Sequence, residues 1–206
     1  DASDRNVKTK TTTLPVIPTS QNGSGVATTM VKYYDNLGRL RWTQDGEGYI
    51  NYYSYDPETG GQAYVSIDVD PASPGSDVTS GSTDNWDDWT IGSANTNKPT
   101  RDSGLPTPLD LVTKRYYDDQ GRGIRTVDDS GAEHYTVYEA DRTIHFPYWQ
   151  WDGTNGTTLK PISVTQLNDS GQVEHQFSIK AGYTGTTIDA ASGGIPTGIP
   201  AAPNQA

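Results

Sequence analysis

Where the polar and apolar positions of this chain are regular, they alternate with a period of two. In "YINYYSY", Tyr49, Asn51, Tyr53 and Tyr55 fall on one side of an extended strand, and Ile50, Tyr52 and Ser54 on the other. "AYVSIDVD", residues 63–70, alternates in the same way. "IHFPYWQWDG", residues 144–153, reads as a strand dense in aromatics. Alternation puts Tyr148 and Gln150 on one of its sides and Trp149 and Trp151 on the other, and Pro147 marks an edge or a bulge. Near the start, "TKTTTLPVI" is β-prone, with one strand expected around Thr11–Val16. No segment shows a sustained helical period. A short turn near Leu109–Val112 is the best helical candidate.

The breaks between these runs carry turn chemistry. "DNLG" and "DDQG" open on Asp35 and Asp118 and close on Gly38 and Gly121, where a positive φ is often required. Arg39 and Arg122 follow, placed so that a planar guanidinium can stack on tyrosine and pair with a carboxylate. The expected unit is strand, tight turn, strand.

The unit recurs. "YYDNLGRLRWTQDGEGYINYYSYD", residues 33–56, aligns without a gap on "YYDDQGRGIRTVDDSGAEHYTVYE", residues 116–139, at an offset of 83. The shared positions are the Tyr-Tyr-Asp triplet, two Gly, one Arg, one Thr, a second Asp and two later Tyr. A weaker copy, "VTQLNDSGQVEHQFSI", covers residues 164–179 and sets Gly171 against Gly121. Fixed turn and aromatic positions at a constant spacing indicate a structural repeat.

With "YYDNLGRL…GYINYYSYDPETG" and "YYDDQGRG…YTVYE", the chain resembles the YD repeats of the Rhs family. The resemblance covers residues 30–60 and 112–180. It implies an extracellular or cell-surface protein whose β-hairpins wind into a continuous sheet. The expected fold is all-β, an open or partly wrapped antiparallel sheet of YD-type hairpins with extended terminal arms. The expected segments are an N-terminal arm (1–29), a first repeat (30–70), a polar insertion (71–111), second and third repeats (112–180) and a Pro/Gly-rich C-terminal arm (181–206).

Composition narrows the function. Hydrophobic residues make up 32% and the net charge is −11, which leans toward disorder, but thirteen Tyr and five Trp are too many for a solvated coil. The acidic balance argues against nucleic acid as a partner. No apolar run is long enough to span a bilayer, so no membrane insertion is expected. No Cys is present, which removes disulfides and thiolate metal sites. Asp1, with no initiator Met and no signal pattern, reads as a mature or trimmed terminus.

Candidate chemistry is sparse. His134, His145 and His175 lack metal-ligand spacing, and no nucleophile elbow, Walker loop or dinucleotide fingerprint occurs. Adjacent carboxylates abound, but neighbours in a strand point to opposite faces, so they make no catalytic dyad by themselves. No catalytic activity and no cofactor are expected. Clustered oxygen ligands at Asp68, Asp70, Asp84, Asp87 and Asp88 are candidates for calcium, against the alternative of solvated acidic turns. Tyr148, Trp149 and Trp151 are candidate glycan contacts, against a core role. Asn22, Asn155 and Asn168 begin glycosylation sequons, two of which are also Asn-Gly turn signals.

A short array of hairpins leaves its end strands unpaired, and repeat units need neighbours to bury their faces. The expected function is therefore an extracellular building block that self-associates into a fibre, filament or surface layer, with copies of itself as partners. At least one arm is expected to cross into a neighbouring copy. The alternatives are a cell-surface adhesion or polysaccharide-binding module, or a shell fragment of a larger Rhs-type protein. At −11, copies repel, so association is expected to strengthen with salt or calcium.

Overall fold

The computed structural model describes residues 7–35, 37–71, 99–151, 156–158, 160–181, 187–189 and 195–197. Its regular structure is antiparallel β, apart from one 3-10 turn at Thr19–Gln21. The chain divides into two compact units, residues 1–55 with 62–113, and residues 56–61 with 114–206.

The first unit holds β1 (Thr9–Thr13), β2 (Thr29–Tyr34), β3 (Leu40–Gln44), β4 (Ile50–Tyr55) and β5 (Gln62–Ile67), paired antiparallel in chain order. Burial alternates along β4: Ile50, Tyr52 and Ser54 are buried and the residues between them are not. Trp42 and Tyr52 are register partners, with ring centroids 4.6 Å apart. Ile50, Tyr64 and Val69 complete this core, and Tyr33 and Val112 pack against it.

The second unit takes the last four residues of β6 (Leu111–Tyr117), then β7 (Gly123–Val127), β8 (Glu133–Tyr138), β9 (Arg142–Trp151), β10 (Gly156–Thr158), β11 (Ile162–Leu167) and β12 (Val173–Ile179). Its order is β6-β7-β8-β9-β11-β12, with β10 on the end of β9. β13 (Thr187–Asp189) and β14 (Ile195–Thr197) form a separate pair beside β8. The strand order does not return to its first strand, so the sheet is open. The core here is Tyr135, Ile144, Phe146, Trp149, Ile162 and Val164. It lies toward β9 and β11 because the offset of 83 puts Arg125 and Glu133 where the first copy has Trp42 and Ile50.

Three sequence expectations need correction. Leu109–Val112 is not a helical turn: Leu111 starts β6, and Asp110, at φ +54°, donates its N–H to the Asp68 carbonyl. The described part of the N-terminal arm folds back on its own unit. β1 pairs with β2 of its own chain, and it stops at Thr13, shortly before Pro15, which has no N–H to give a ladder. Simple alternation fails in β9. Glu133 pairs with Trp149 but Tyr135 with Phe146, so one extra residue bulges, and Tyr148 takes φ +52°. The bulge turns both Phe146 and Trp149 into the core. β9 is paired on both sides, which leaves the bulge rather than the edge as the role of Pro147.

Among the described residues, no helix is long and apolar enough to cross a membrane.

Candidate functional site

Among the described residues, one turn recurs five times, opened by Asp35, Asp45, Asp118, Asp128 and Asn168. In each, the side-chain Oδ1 accepts backbone N–H groups two and four residues on, at 2.8–3.0 Å. The glycine three residues on donates its N–H to the first residue's carbonyl. Those glycines, Gly38, Gly48, Gly121, Gly131 and Gly171, have φ between +75° and +93°. A side-chain carbonyl or carboxylate oxygen thus holds the loop while glycine supplies the left-handed residue. Asn168, a candidate glycan acceptor, spends its Oδ1 here. Asn22, another, sits at φ +63° after the 3-10 turn. A Cβ at Gly38 would meet nothing within 4 Å, so substitution there costs backbone conformation and not space. Gly38→Ala is expected to destabilise by about 1 kcal/mol, and Gly38→Asn by less, because Asn tolerates the left-handed region. Urea unfolding of the two variants checks the order.

The arginines after two of these turns repeat their contacts in detail. Arg39 Nε donates to Asp35 Oδ2 at 2.8 Å, and its guanidinium lies 4.7 Å from the Tyr55 ring centre. Arg122 Nε donates to Asp118 Oδ2 at 2.7 Å and lies 4.3 Å from the Tyr138 ring centre. Tyr55 Oη donates to the Leu40 carbonyl at 2.9 Å, and Tyr138 Oη to the Gly123 carbonyl at 3.3 Å. All four residue pairs are related by 83. The Arg–Tyr–Asp set therefore ties each turn to the third strand of its own repeat.

Two of these turns, with the separate turn at Asp56, set an acid limit. The Thr59 N–H and hydroxyl hold Asp56 below the usual carboxylate range. The Ser130 hydroxyl and the Ala132 N–H do so for Asp128. Slight desolvation pushes Asp118 up, but the bonds from Arg122 outweigh it and leave it lowered. A depressed folded pKa gives stability that is full above the unfolded value and lost as pH falls through the folded one. Melting temperature is expected to hold down to about pH 4 and fall below it. Asp128→Asn should flatten that fall, as read by calorimetry across pH.

Asp68 forms a second kind of node. Its Oδ1 accepts from Arg101 Nη1 at 2.5 Å and its Oδ2 from the Leu109 N–H at 3.1 Å. Its own N–H donates to Asn51 Oδ1 at 3.1 Å, and its φ is +55°. Arg101 also donates to the Pro106 carbonyl and lies over the Tyr49 ring. Residues 99–110 are thereby fastened to Tyr49 and Asp68, which flank β4 and β5. Both oxygens of this calcium candidate are engaged by protein donors. Asp70 lines an open groove of about 470 Å³ with Pro71, Arg101, Asp102 and Leu105. Asp84, Asp87 and Asp88 lie outside the described residues. Among the described residues, no three metal-ligating side chains cluster.

Among the described residues, the aromatic strand offers no open platform. Trp149 is 2% exposed and packs edge-on against Tyr135, which excludes it as a glycan contact. Lys160 Nζ lies 3.8 Å from the centre of the Tyr148 ring, and His134 meets that ring edge-on. The Trp151 side chain and Asn155 lie outside what is described. On the core-facing side, Arg125 Nη2 donates to Glu133 Oε1 at 2.5 Å and Tyr135 Oη to Glu133 Oε2 at 2.6 Å. Burial and that carboxylate push the Tyr135 phenol well above its usual range. Sequence reading missed this set, although the gapless alignment of Arg125 with Trp42 held the signal.

The remaining feature is the pair of end strands. β1 pairs only with β2 among the described strands, and β12 only with β11. Every residue of β1 is exposed, as are most of β12. The chain matches no protein-family model and no curated protein.

Proposed function

We propose that this chain is an extracellular structural module of YD-repeat type that associates with copies of itself by strand pairing. The observation that carries the reading is the strand order, which among the described strands ends in two exposed ones, β1 paired with β2 and β12 paired with β11. Such edges are templates for another strand. The recurrent turns support a repeat architecture. The polar constellations support a structural role: Asp35, Asp118, Asp68 and Glu133 all hold arginines that pack on tyrosines of the same unit. Adhesion through an aromatic platform has less support, because Trp149 is buried and Tyr148 carries Lys160 on its ring. Sedimentation velocity and electron microscopy of the full chain test the proposal. Concentration-dependent growth beyond 22.3 kDa is expected. A species that stays at that mass at every concentration overturns self-association.

A further inference from the structure

Resting on the self-association reading, we propose that the junction is head-to-tail, with β1 of one copy pairing along β12 of the next and charge selecting that match. The two end strands themselves carry charges of opposite sign, Lys10 in β1 and Glu174 in β12. Residues 7–34, which contain β1 and β2, include Lys8, Lys10 and Lys32 and no Asp or Glu. Residues 162–179, which contain β11 and β12, include Asp169 and Glu174 and no Lys or Arg, with Lys160 and Lys180 just outside them. In a chain with 26 acidic and 15 basic side chains, a carboxylate-free stretch at one end strand stands out.

The register sharpens this. Lys10 is the direct partner of Lys32 across β1 and β2, and both are exposed. Like charges directly opposite each other destabilise a strand pair, so the hairpin carries a cost that an anionic neighbour relieves. Glu174 is exposed on the opposite end strand. Asp169 is exposed in the turn that leads into it. The described part of the C-terminal arm does not take this place, since β13 and β14 pair with each other and lie beside β8.

Charge also rules on the other pairings. Lysine at an edge strand discourages pairing with a like edge. Two β1 edges bring lysines together, and two β12 edges bring carboxylates together. Only β1 against β12 joins opposite signs. A contact between two different edges is heterologous and propagates unless its rotation closes a ring.

Two forces then act on different length scales. The net charge of −11 repels whole copies, and salt near 0.15 M screens this beyond about 8 Å. The junction charges lie closer and are screened later. Association is expected to rise from low salt to about 0.15 M and to weaken toward 1 M.

The decisive experiment reverses charge in the full chain. One variant carries Lys10→Glu and Lys32→Glu, and the other Asp169→Lys and Glu174→Lys. The first keeps a like-charged pair across β1 and β2, so its own fold loses nothing on that account, and matched circular-dichroism melts verify folding for both. Each variant alone is expected to assemble at least tenfold less at equal concentration, and an equimolar mixture to recover wild-type assembly. If wild type assembles and either variant alone does so equally well, the junction is wrong and self-association stands. If folded variants each fail and the mixture also fails, charge matching between these strands is overturned. A monotonic gain in assembly up to 1 M salt overturns it as well. If wild type itself never assembles, the underlying reading falls first.

Discussion

Arg101→Ala is expected to cost about 3–5 kcal/mol, because it strands a carboxylate that the fold has already taken out of water. The Arg101 and Asp68 side chains are 8% and 11% exposed. Asp68 would keep the Leu109 N–H as a donor but lose the Arg101 guanidinium, while its backbone stays at φ +55°. A conformation of that kind persists only where the surroundings hold it. Loss of the guanidinium also frees the Pro106 carbonyl and uncovers the Tyr49 ring. Asp68→Asn should cost less than Arg101→Ala, and the double variant less than the sum of the two, since removing both charges leaves none unpaired. Urea unfolding gives the energies. Limited proteolysis gives the location: cleavage within residues 99–110 should appear in Arg101→Ala before cleavage in β3 or β4. Equal costs for the single variants, adding fully in the double, would show that the pair is not coupled.

That node was not legible in the sequence, for a physical reason. Asp68 and Arg101 are 33 residues apart, and neither sits in a repeat position that would pair them. Asp68 looked like one oxygen ligand in an acidic run because local composition carries no information about a distant cation. Local signals fared differently. Period-two alternation in residues 50–55 predicts the burial of Ile50, Tyr52 and Ser54, since a half-buried strand imposes that period on its own residues. The turns were legible at Asp35 and Asp118, where Tyr-Tyr-Asp announces them. They were passed over at Asp45 and Asp128, although Gly48 and Gly131 stand in the same alignment. β9 marks the limit of pattern reading. Pro147 signals a disturbance, but the register shift that carries Phe146 and Trp149 to one side depends on how β8 pairs, and pairing is not written in one strand. The N-terminal arm misled for a similar reason: five exposed residues, TKTTT, look homeless until β2 is seen to accept them.

Trp149→Ala is expected to destabilise the second unit by about 3–5 kcal/mol, and Trp149→Phe by about half as much. Trp149 is almost wholly buried, and it stacks edge-on with Tyr135 at a centroid distance of 5.3 Å. Its neighbours Ile144, Phe146, Ile162 and Val164 lie on paired strands that fix their spacing, so the site can collapse only in part and the cavity cost adds to the lost transfer energy. Tyr135 gives the variant a second readout. The phenol is raised by burial and by its bond to Glu133, and opening the core admits water to it. Its titration should move back toward the ordinary tyrosine range in Trp149→Ala, as followed by ultraviolet absorbance at high pH. The two readouts separate a core role from a sugar-binding one. A side chain spent on packing lowers the melting temperature when truncated. A side chain that presents its face to a polysaccharide leaves the melt almost unchanged and loses glycan retention instead. A melt within a degree of wild type for Trp149→Ala would return this tryptophan to the surface and reopen the aromatic strand as a binding platform.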